Sequence, residues 1–149
     1  MNKSKVDLHI ASDEEGVPSK KDFQSWVRAV MQEFNEVIEL CIRVVESKES
    51  QALNFAYRKK NKPTNVLSFS YGLEARPLLG DLIMCREVVL EEAAVQHQTP
   101  AAHFAHMTVH GMLHLLGFDH ETPEEAQVME AKEVEILKKL GFDDPYSIC

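Results

Sequence analysis

The sequence predicts an α+β fold: a small mixed four-stranded sheet covered by helices. Three observations carry this. Strand-like and helix-like segments alternate through the first half, two strand segments then follow one another directly, and everything from residue 86 onward is helical in pattern. Consecutive strands followed by consecutive helices do not suit a doubly wound parallel sheet. The chain has 149 residues, 44% hydrophobic and 27% charged, a balance that suits a single globular domain spanning 1–149 and excludes disordered and fibrous classes. No repeat, low-complexity tract or linker divides it.

Each element has its own signal. Val6, Leu8 and Ile10 alternate with Asp7 and His9, as in a half-buried strand, and Asp13 to Pro18 reads as a loop. Ser19 with Asp22 opens a helix in which Phe23, Trp26, Val27, Val30, Met31 and Phe34 recur at helical spacing. Val37 to Val45 is rich in branched apolar residues over a strand-like length, and Ser47 to Tyr57 reads as a short helix with Leu53 and Ala56 inward. Asn65 to Tyr71 and Leu79 to Cys85 are strands that can pair as a hairpin across a loop with Gly72 and Pro77. Arg86 to Gln96 is helical. Thr99-Pro100 caps a helix that stops at Gly117, and Thr122 to Glu125 forms a capping box for a last helix that stops at Gly141.

Lys+Arg 16 against Asp+Glu 24 leaves a formal net charge of −8, so a nucleic acid would have to be met by a local patch and not by the overall field. No apolar run approaches the roughly 18 residues of a membrane span, and the start at Met1 leads into alternating sequence instead of a signal-peptide block. The expectation is a cytoplasmic protein with no membrane partner. Cys41, Cys85 and Cys149 are widely spaced and form no CxxC pair, which argues against a disulfide framework and against a cysteine zinc site.

Four of the seven histidines, His103, His106, His110 and His114, fall on the helix that ends at Gly117. From His110 to His120 the spacing is HxxxHxxGxxH, that of metzincin zinc enzymes. Residues i and i+4 share a helix face about 6 Å apart along the axis, so His110 and His114 can converge on one ion. Gly117 can take the left-handed conformation that ends the helix and turns the chain back to deliver His120. Three neutral imidazoles on Zn²⁺, one ion per chain, leave the fourth tetrahedral position open, as in a catalytic site. The alternative triplet His106, His110 and His114 is excluded, because its outer members lie about 12 Å apart along the helix. His103 and His106 read equally as packed side chains and as groups facing ligands or substrate, while His9 and His97 read as surface. Where HExxH peptidases carry their general base this chain has Gly111, which opposes a peptidase and leaves room for a bulky substrate or another base. Asp119 reads either as an acceptor orienting a ligand imidazole or as a turn residue.

Between Asn54 and Arg76 the charge reverses: Arg58, Lys59, Lys60, Lys62 and Arg76 stand against Glu74 alone. Arg58 offers a guanidinium for bidentate phosphate contact, with Lys59, Lys60 and Lys62 beside it to bind substrate. Tyr57 and Phe69 are aromatic candidates for stacking on bases, although core packing suits Phe69 better.

Three blocks in order, Asn54 to Phe69, Leu79-Gly80-Asp81-Leu82-Ile83 and His106 to His120, followed by the Gly141 to Tyr146 ending, resemble the bacterial YbeY family. The likeness covers the chain from about Leu53 to its end. Phe118 stands where that family commonly has tyrosine. The resemblance implies zinc ligation by His110, His114 and His120, and matches Arg58 to the family's functionally important arginine. It further implies a metal-dependent, single-strand-specific endoribonuclease of ribosomal RNA, acting in 16S 3′-end maturation, other ribosomal RNA processing and quality control of defective ribosomes. Its expected partners are single-stranded ribosomal RNA, the small ribosomal subunit and assembly factors. On this reading Arg58 and His114 are catalytic. The rival expectations are a metalloprotease of metzincin type and a non-catalytic ribosome assembly factor with a structural metal.

Overall fold

The computed structural model describes residues 2–147. Its elements follow the order β1 (Lys5–Ala11), α1 (Lys20–Glu33), β2 (Ile38–Val45), α2 (Ser47–Arg58), β3 (Val66–Ser70), β4 (Leu78–Cys85), α3 (Arg86–Val95), α4 (Pro100–Leu115) and α5 (Pro123–Lys139). The four strands form one mixed sheet in the order β1-β2-β4-β3. β1 and β2, and β2 and β4, run parallel, and β3 lies antiparallel to β4 on the outer edge. The fold class is therefore the expected α+β, including the β3–β4 hairpin.

Alternation along the strands decides which face is covered. Val6, Leu40, Ile42, Val44, Leu82 and Met84 are buried beneath α1 and α4, whereas Lys5, Asp7, Glu39, Cys41 and Leu79 are exposed on the opposite face. α4 is the central helix. Its Phe104, Val109, Met112 and Leu113 are completely buried, and it packs against α1, α3, α5, β3 and β4. A helix covered on so many sides can present polar groups to solvent only near its end, and that is where His110 and His114 lie.

Cap chemistry sets the helix boundaries. Ser19, Thr99 and Thr122 accept from Asp22, Ala102 and Glu125 backbone N–H groups, and Thr122 and Glu125 complete a capping box. Gly117 and Gly141, at φ of 100° and 90°, end α4 and α5. After each glycine the chain bonds back, Phe118 to the Leu113 carbonyl and Phe142 to that of Leu137.

The inward face of α2 differs from the expectation. Ala56 is exposed and Leu53 only half-buried, while the polar Ser50 and Asn54 are buried. Their side chains fasten the following loop: Ser50 Oγ donates to the Thr64 carbonyl and accepts from the Thr64 N–H, and Asn54 Nδ2 donates to the Lys62 carbonyl at 2.8 Å. Hydrogen bonding outweighs apolar burial here. Cys41 and Cys85 are free thiols, and Cys149 lies outside the described residues.

Candidate metal centre and its groove

α4 exposes His110 and His114 one turn apart, and the bend at Gly117 brings His120 to them. One nitrogen of each ring lies within 4.8 Å of the others, so the trio can hold a metal ion. Ring centroids are 4.7 Å apart for His110 and His114, 5.4 Å for His110 and His120, and 4.9 Å for His114 and His120.

The other ring nitrogens indicate how well the trio suits an ion. His110 Nδ1 lies 2.7 Å from Glu133 Oε2, and His114 Nδ1 lies 3.0 Å from the Phe118 carbonyl. Each acceptor requires a proton on Nδ1, which leaves Nε2 of both rings as a free lone pair. Burial, and then the neighbouring His110 and His120, hold the His114 pKa below its ordinary value and favour the neutral, ligating form. Three imidazole nitrogens with two orienting acceptors fit a zinc-type ion. The turn at Phe118 closes α4 and also aims its carbonyl at His114. The Phe118 ring packs on Phe34, with centroids 5.6 Å apart, so the histidine trio meets residue 118 through its backbone.

Glu133, on α5, had no role in the sequence reading. It is completely buried, and its second oxygen accepts from His106 Nε2 at 2.8 Å and from the Tyr146 hydroxyl. Burial by itself would raise its pKa, but hydrogen bonds from His106 and His110 bring it down to about 2. His106 is thus linked to His110 by two hydrogen bonds, through a shared carboxylate. His103 instead pairs with Glu92, 2.8 Å from its Nε2. Asp119 Oδ1 accepts from the His120 backbone N–H at 2.8 Å, and the residue lines the groove beside the trio.

Gly111 does not open space. A Cβ there would lie 2.7 Å from Leu82 Cδ2 and 3.1 Å from Ser68 Oγ. The glycine faces the sheet and permits close approach of α4 to β3 and β4, which corrects the expectation of room for substrate or another base.

A groove of about 920 Å³ runs from the histidines along β3 to the end of α2, lined by His110, His114, His120, Ser68, Phe69, Tyr57, Arg58 and Lys60 among others. Arg58 and Lys60 thus share one cavity with the trio. Lys59, in the left-handed position that caps α2, and Lys62 are exposed on the same loop outside the lining. Arg76 belongs elsewhere, since Nε and Nη2 each lie 2.9 Å from a Glu36 carboxylate oxygen.

An α+β sheet with a histidine pair on its central helix and a third histidine past a glycine bend defines a fold with a candidate metal centre. A family model described as Endoribonuclease YbeY matches residues 8–141. The chain belongs to the YbeY endoribonuclease family, whose activity lies in ribosomal RNA processing. The solution structure of TM1509 from Thermotoga maritima has a similar fold, with a TM-score of 0.58 and 20% identity, over 95% of this chain and 100% of that one. Among the described residues no helix is long and apolar enough to cross a membrane.

Proposed function

We propose that this protein is a zinc-dependent, single-strand-specific endoribonuclease. It acts in the cytoplasm on ribosomal RNA, in 16S 3′-end maturation, wider ribosomal RNA processing and ribosome quality control, with residues 1–149 as one domain. The observation that carries the reading is a single groove holding three convergent imidazoles together with Arg58 and Lys60.

His110, His114 and His120 would hold one zinc ion. Bound there, zinc would supply Lewis-acid stabilisation of phosphoryl oxygens and acidify water. Arg58 would grip the scissile phosphate through two N–H groups and stabilise the charge that grows on it. Lys60 would take a neighbouring phosphate, and Lys59 and Lys62 would extend the positive rim along a longer strand. Recruitment by the small ribosomal subunit and its assembly factors would offset the net charge of −8.

The histidine spacing also suits a metalloprotease, but Gly111 lies against Leu82 and Ser68 where a glutamate would have to stand. A structural metal suits the site less well, because His120 is exposed on an open groove and structural zinc sites are closed. The deciding experiment compares wild type, Arg58→Glu and His114→Ala on a short unstructured RNA, with metal content and folding measured for each. Loss of cleavage in both folded variants is expected, with metal lost only from His114→Ala. Cleavage that disappears from rigorously purified wild type would overturn the proposal, and cyclic phosphate ends would identify the ribose 2′-hydroxyl as nucleophile.

A further inference from the structure

Tyr57 occupies the last turn of α2, immediately before Arg58, and lines the same groove as the histidine trio. Its side chain is 66% exposed, as is that of Tyr71 at 67%. The other exposed tyrosines are tied down, Tyr71 to Asp81 and Tyr146 to Glu133, whereas the Tyr57 hydroxyl has no hydrogen bond among the described residues. What holds Tyr57 is the half-buried Phe69 of β3, with centroids 4.9 Å apart and planes inclined at 65°. An edge-type contact of this kind fixes a ring without covering it. Behind it, Ser50 and Asn54 fasten the loop that carries Lys60, so the aromatic ring and the flanking cations are preorganised together.

We infer that Tyr57, propped by Phe69, is a stacking subsite for one unpaired nucleobase whose adjoining phosphate lies on Arg58. The inference rests on the ribonuclease reading and supplies a physical basis for its single-strand specificity. A base inside a duplex has both faces covered by neighbours, so only an unpaired base can offer a face to Tyr57. A π-face is common to all four bases, so the subsite selects for unpairing and not for sequence.

The test measures fluorescence anisotropy of two labelled ligands, a short uridine oligomer and an abasic ribose-phosphate oligomer of equal length and charge, with ligand intactness checked after each titration. Wild type binds the uridine oligomer more tightly. Tyr57→Ala weakens that binding by roughly 5- to 160-fold, the range for loss of one base stack, and leaves the abasic ligand unaffected. Tyr57→Phe retains wild-type affinity for both. Thermal melts of the variants check that folding is preserved. Equal weakening of both ligands by Tyr57→Ala, or no weakening of either, overturns the subsite. Arg58→Glu separates the two levels of the argument. If it weakens both ligands while Tyr57→Ala changes nothing, RNA binding stands and the subsite falls. If wild type binds neither ligand, both fall.

Discussion

Glu133 is the residue whose substitution should be most informative. It sits 2.7 Å behind His110 and fixes which nitrogen of that ring faces the trio. Glu133→Gln keeps the shape but removes the charge and one acceptor, and should weaken zinc binding by about 10- to 100-fold, read by competition against a chromophoric chelator. An unchanged zinc affinity would remove Glu133 from the metal centre. Gly111→Glu, which recreates the peptidase pattern, drives a side chain into Leu82 and Ser68. It should lower stability by about 1–3 kcal/mol or more, seen as a reduced melting temperature, and bring no peptidase activity. Both residues mark where sequence reasoning stops. The HxxxHxxGxxH spacing is local and could be read directly. The Glu133 contact joins side chains 23 residues apart on different helices, and which face of α4 meets the sheet is decided by packing.

At the scale of elements, what was legible was whatever the chain encodes within a few residues: the caps at Ser19, Thr99 and Thr122, the stops at Gly117 and Gly141, and the hairpin after Asn65. The placement of β4 between β2 and β3 was not legible, because strand order depends on contacts distant in sequence. The buried face of α2 escaped for a related reason, since Ser50 and Asn54 serve a loop that hydrophobic periodicity ignores. Gly117→Ala should expose the double duty of the α4 turn. With φ at 100°, an added Cβ costs about 1–2 kcal/mol, and zinc affinity should fall with stability because the Phe118 carbonyl and His120 both depend on the bend. Between α3 and α4, burial alone would raise the Glu92 pKa, but hydrogen bonds with His103 and Asn65 hold it below the usual carboxylate value. A folded pKa below the unfolded one stabilises fully above the unfolded value and fades as pH falls through the folded one. Denaturant midpoints should therefore drop more steeply toward acid pH in wild type than in Glu92→Gln.

For the molecule as a whole, the charge distribution matters more than its sum. A chain of net charge −8 that gathers Arg58 and Lys60 into one groove should bind RNA through few phosphates. With two to four contacts, the slope of log affinity against log salt should be about −1.4 to −2.8, and a much steeper slope would point to a second basic surface. Tyr146 has another consequence at this scale. It belongs to the stretch after residue 141, where the family match stops, yet its hydroxyl closes on the carboxylate that backs His110. A change as distant in sequence as Tyr146→Phe would therefore act as a remote perturbation of the histidine trio, felt through Glu133 and His110.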